Sequence, residues 1–317
     1  MTLPQIQSIT KKIFVALLGG FLLVFLLFHM CANLCILRND GGQWYSDFCH
    51  FMGTNVIVKV FEIALFGILL LHIALTVWLW ITNRMARPVR YHHRSETRSS
   101  KGSAWMIVTG GLIFICLLLH LFDFFAVKIG IQNSFASYMV KTEEIHADEA
   151  MMVVQAAAQY QMTPEEFYEA CASEISQMGG NAPEEAQEQL AQIKKQVAVA
   201  EFLTQAHERT SEDGKWIKNI SSEEKATLTE AIPELEIEPD FYNMARSLFH
   251  NPIISILYLL FFAVVGFHIR HAFQSAFQTL GLNNRKCSRP LDICSQIYTW
   301  IICLGFGIIP IVALLFL

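Results

Sequence analysis

The chain has 317 residues, 53% hydrophobic and only 16% charged, where a soluble domain usually carries about a quarter charged residues. That balance, with 12% aromatics led by 24 Phe, excludes an ordinary soluble globular enzyme and a largely disordered chain. The net charge of −5 is unevenly spread: residues 128–250 hold 22 acids against 9 bases, and the rest holds 6 against 14. An acidic, water-facing insert therefore interrupts a basic, membrane-embedded remainder. No basic face accompanies a nucleic-acid-binding fold, so nucleic acid is excluded as a partner.

Five stretches exceed the roughly 20 residues needed to cross a hydrocarbon core. In chain order, the first is 13–37, preceded by Lys11 and Lys12. It is too long for a signal-peptide core and no cleavage site follows it. The second is 55–82. A basic loop follows, carrying Arg84, Arg87, Arg90, Arg94, Arg98 and Lys101. The third is 105–127. The insert at 128–250 predicts a helical cap, with a helix start at 163–167 (Thr, Pro, then acids) and a capping box at 221–228. Gly179 and Gly180 break its periodicity. The fourth span is 252–278, with Asn251 as N-cap and Pro252 at the first helical position. A loop with Arg285, Lys286 and Arg289 leads to the fifth, 293–317, in which Pro310 predicts a kink. Near-continuous apolarity predicts helices, not a barrel. The fold class is an all-α integral membrane protein: a five-helix bundle with a helical extramembrane insert between the third and fourth spans.

Basic residues in short loops set orientation. The N-terminus and both basic loops fall on one side, which this rule makes the cytoplasmic side. The insert and the C-terminus then face outward. The eight cysteines form no C-x-x-C or C-x-x-C-H, which excludes a zinc ribbon, a ferredoxin-type cluster and thioether-bound haem. Within the insert, His146, Cys171 and His207 have no ligand spacing.

Four spans each carry a histidine deep in apolar sequence: His29, His72, His120 and His268. An ionisable residue there is costly and needs a reason. His29 is 17 residues beyond Lys12 and His120 is 19 beyond Lys101; at about 1.5 Å per residue both lie roughly 25–28 Å from the inner edge. His72 is 12 residues before Arg84, about 18 Å from that edge, and His268 is 17 past Asn251, about 26 Å from the outer edge. The heights define two pairs, His29 with His120 and His72 with His268, one per leaflet. Two imidazoles at matching height on facing helices are what a flat iron macrocycle needs. Gly19, Gly20, Gly67, Gly110, Gly111 and Gly266 either make room for such a ring or serve close helix packing. His271 is an alternative to His268, or a polar contact at the inner rim.

These residues carry a resemblance. The chain resembles the membrane cytochrome b subunit of succinate:quinone oxidoreductases, the five-helix, two-haem type of succinate dehydrogenases and fumarate reductases. The similarity covers all five spans. Its most specific signals are NRMARPVRY at 83–91 and HIRHAFQSAFQTLG at 268–281. It implies two haem b groups, His72 and His268 on the inner iron and His29 and His120 on the outer. It implies flavoprotein and iron–sulfur subunits docked on the cytoplasmic side, with a membrane quinone, menaquinone, as substrate, and a homodimer of the whole complex. The insert departs from the family, which has a short loop there. A carboxylate tied to proton movement in some members is replaced by Gly266. This chain, lacking a dinucleotide fingerprint and cluster cysteines, is not the dicarboxylate-converting subunit. Candidate quinone-site residues are Asp47, His50 and Glu62, with Asp123 three residues past His120. Candidate propionate contacts are Ser103, Arg84 and Arg87. Competing readings are the cytochrome b of another quinone-linked dehydrogenase, and a non-redox anchor or transporter whose histidines carry protons.

Overall fold

Asn55 shows how the spans begin. Its Oδ1 accepts from the N–H groups of Ile57 at 2.9 Å and Val58 at 3.3 Å, satisfying two donors that a helix start leaves open. Asn251 repeats the device with Ile253 and Ile254, and Pro252 follows at the first helical position. The computed structural model describes residues 8–86, 101–145, 147–178, 183–283 and 287–316.

Five helices are long and apolar enough to cross a membrane, and the protein is an all-α, multi-pass membrane protein. They are α1 (Ser8–Leu34), α3 (Val56–Met85), α4 (Lys101–His120), α11 (Pro252–Thr279) and α12 (Ser288–Phe316). A short helix, α2 (Gln43–Thr54), lies between the first two. The sequence reading leaves that segment as a loop. A π-helical turn, Leu121–Phe125, follows α4 directly and leads into α5 (Ala126–Lys128). Pro310 sits buried inside α12, which runs on through it.

The chain divides into two compact units, Met1–Phe122 with Ala245–Leu317, and Asp123–Met244. In the first, α11 packs against α1, α4 and α12, while α1 also meets α3 and α12 and α2 lies on α3. Small residues allow close approach: a Cβ on Gly266 would collide with the Cys303 sulfur, and one on Gly305 with Met30. The Tyr298 hydroxyl donates to the Leu23 carbonyl at 2.6 Å. Gln274 Nε2 donates to Asp292 at 2.6 Å, tying α11 to α12. Val24, Ile63 and Ile253 stay 70%, 74% and 76% exposed. Water would penalise such surface by about 25 cal/mol per Å², whereas lipid accepts it.

The second unit is mainly helical, as expected, and adds a small sheet to its helices. Its helices α6 (Ala147–Gln159), α7 (Pro164–Gln177), α8 (Glu184–Ala206) and α9 (Ser222–Ala231) accompany an antiparallel sheet, and α10 (Phe241–His250) begins in this unit. The sheet comprises β1 (Tyr138–Lys141), β2 (Trp216–Ile220) and β3 (Glu238–Pro239), in the order β2-β1-β3. Tyr138 pairs with Ile220 on one side and Pro239 on the other. Strands this short, joined across about 80 residues, leave no local period to read. Tyr138, Val140, Ile217, Ile220, Leu228 and Met244 form the core. Both predicted caps are present: Thr163 with Glu166 and Ser221 with Glu224 each form a reciprocal box. The charge pattern bounds the insert at 128–250, whereas the compact unit runs from Asp123 to Met244.

Candidate functional site

His29 on α1 and His120 on α4 meet ring to ring, with centroids 6.0 Å apart and planes at 80°. Two metal–imidazole bonds of about 2 Å, plus about 1 Å from each nitrogen to its ring centre, require centres roughly 6 Å apart. The spacing fits a metal shared by the two rings. Aromatic side chains surround them. Phe25 stacks on His29 at 5.3 Å, Phe306 lies 5.8 Å from the same ring, and Tyr258 lies 6.3 Å from His120.

Polar contacts orient His29. Asn33 Nδ2 donates to the His29 carbonyl at 2.7 Å and lies 3.3 Å from its Nδ1. The Tyr45 hydroxyl of α2 donates to Asn33 Oδ1 at 2.9 Å. Burial first, then Cys49 and Cys35, push the Tyr45 phenol well above its ordinary range. The Tyr45 phenol therefore stays neutral.

His72 on α3 lies close enough to His268 on α11 for their charges to interact, and so does His271. Gly19 of α1 faces the His72 ring, where a Cβ would stand 3.4 Å from Cε1. Gly110 of α4 faces the His268 ring at 3.5 Å. An added Cβ at either position would rest in ordinary van der Waals contact with the ring, so both glycines lie directly against the imidazoles. Gly266 instead serves close packing against Cys303, and Gly20, Gly67 and Gly111 face open space. His72 Nδ1 is buried without a hydrogen bond, although the Val15 backbone interacts with the ring. Leaving such a nitrogen unpaired costs about 1–3 kcal/mol, which a metal or hydrogen-bond partner would recover.

His268 Nδ1 lies 3.0 Å from Thr109 Oγ1. That hydroxyl also faces the carbonyls of Trp105 at 3.1 Å and Met106 at 3.2 Å. A hydroxyl has one proton, and the carbonyls can only accept. That single proton can go to a carbonyl or to Nδ1, so the direction of the Thr109–His268 contact depends on the ring tautomer.

The remaining candidates are less tightly assembled. Asp47 and His50 lie three residues apart on α2, and Glu62 lies in the second turn of α3, the helix on which α2 packs. All three are half-buried. Arg84 is exposed, its guanidinium 5.6 Å over the Trp80 ring. Arg87 and the side chain of Ser103 lie outside the described residues, as do His146, Gly179, Gly180, Arg285 and Lys286. Asp123 belongs to the π-helical turn, and its carbonyl accepts from Asn133. Among the described residues no group of three or more His, Cys, Asp or Glu is gathered for a metal; an iron already held by a macrocycle needs only two. Sequence reasoning missed Asn33, Tyr45 and Thr109. Asn33, one helical turn after His29, was legible in principle. Thr109 was not, being 159 positions from the ring it touches.

No family model, curated protein or solved structure matches the chain.

Proposed function

We propose that the protein is the haem-carrying membrane anchor of a succinate:quinone oxidoreductase, moving electrons between a docked iron–sulfur subunit and membrane quinone. One observation carries this reading: four spans each contribute one histidine, and the histidines gather as two pairs, one with the ring separation a shared metal requires. Each haem b would supply a one-electron centre when bound. His29 and His120 would hold the outer one, and His72 and His268 the inner one.

The chain's own residues do the rest. Phe25, Phe306 and Tyr258 keep water from the outer pair. Gly19 and Gly110 keep side chains off the inner rings. Asp47, His50 and Glu62 would exchange protons with a quinone, menaquinone in type, at the outer end. Arg84 and Arg87, with His271 and Ser103, supply polar contacts at the inner rim for carboxylates of the macrocycle. The basic loops face the cytoplasm and receive the iron–sulfur and flavoprotein subunits, while the acidic unit faces the periplasm. The test is a pyridine haemochrome assay on the purified chain. Two haem b per chain are expected, and a folded, haem-free preparation refutes the proposal.

A further inference from the structure

We propose that Thr109 is a positioning residue for His268: it holds the proton of that ring on Nδ1 and so presents Nε2 as a ligand before any metal arrives. The inference rests on the haem reading above and adds a residue to it. The contact crosses from α4 to α11. The hydroxyl has two carbonyls of its own helix as alternative acceptors for its single proton. Its free role toward His268 is therefore acceptance. Thr109 is 9% exposed, so water does not compete for either bond. Gly110, the next residue, leaves the ring room to keep this orientation.

His29 presents the opposite case. The group 3.3 Å from its Nδ1 is an amide nitrogen, a donor. That arrangement favours a proton on Nε2, the atom that would ligate. For His29 to bind a metal through Nε2, the Asn33 amide must turn and offer Oδ1. The Tyr45 hydroxyl can follow by accepting instead of donating. The inner histidine needs no such change. An N–H···O bond on the far nitrogen makes an imidazole a stronger electron donor and fixes its tautomer. Stronger donation favours oxidised iron, so Thr109 lowers the potential of the centre His268 binds.

The test is an optical redox titration of the purified chain as wild type, Thr109→Val and Thr109→Ser. His268→Ala identifies which haem signal belongs to this site. In Thr109→Val, which keeps the side chain's shape, that haem's midpoint potential should rise while the other stays fixed. Thr109→Ser should restore the wild-type value. A second readout needs no haem: ¹⁵N spectra of histidine-labelled apoprotein should show His268 protonated on Nδ1 in wild type and as a tautomer mixture in Thr109→Val. Unmoved potentials with both haems present overturn this inference alone, as does an equal shift of both haems, which marks a general packing defect. A folded wild type with no haem overturns the functional reading and this inference together.

Discussion

Replacing Gly266 by alanine tests the packing that holds His268. The new methyl would fall far inside the roughly 3.5–4.0 Å at which nonbonded heavy atoms rest, with the Cys303 sulfur in its place and Thr299 Cγ2 at 3.4 Å. The sulfur cannot simply swing away, because its thiol bonds the Phe262 carbonyl at 3.4 Å. Either that bond breaks or α11 and α12 separate. Overpacking of this kind costs about 1–3 kcal/mol. Cys303→Ala alone should cost about 1 kcal/mol for the lost sulfur contacts and weak bond. The double variant should be more stable than the sum of the two, with a coupling of about 1–2 kcal/mol. Unfolding in mixed detergent, followed by circular dichroism, measures all three. The site should report the same event. The Thr109–His268 contact is 3.0 Å and ceases to be a hydrogen bond beyond about 3.5 Å, so a shift of α11 by roughly half an ångström is enough to break it. Gly266→Ala at wild-type stability, or a strictly additive double variant, refutes the argument.

The other predictions follow from single contacts. His120→Ala should remove one haem signal and spare the other, read by pyridine haemochrome; loss of neither counts against the pairing with His29. Asn33→Asp should lower the potential of the haem on His29 only, because a carboxylate can only accept from Nδ1–H; a titration with both potentials unmoved contradicts it. Asp240 is fully buried and caps α10, accepting from Asn219 N–H at 3.2 Å, Asn243 N–H at 3.2 Å and Asn243 Nδ2 at 2.6 Å. Asp240→Ala should destabilise the acidic unit by about 3 kcal/mol, seen as faster limited proteolysis between residues 123 and 244. Burial alone would raise the Glu224 carboxyl, but the Arg209 guanidinium and the Ser221 N–H more than offset it and hold it below its usual 4.5. A depressed folded value means the contribution is present above pH 4.5 and is lost as pH falls through the lower folded value. Glu224→Gln should flatten acid unfolding of this unit below pH 4.5.

The amino-acid sequence by itself determines the number of spans, their starts at Asn55 and Asn251, the helix starts at Thr163 and Ser221, and how far along its span each histidine lies. The reason is that a helix has a constant rise. Position along the chain converts to distance along the helix without knowledge of any neighbour, and caps are local bonds between residues two or three apart. What only the tertiary structure decides is who stands beside whom at a given depth. The long helices are apolar nearly all round, so no polar stripe in the sequence tells which face of α4 carries Thr109 toward α11, or that Gly266 admits a sulfur while Gly19 and Gly110 admit imidazoles. The sheet of the acidic unit was hidden for the same reason. Its strands are held by partners about 80 to 100 residues away, and pairing energy of that range leaves no trace in a local window.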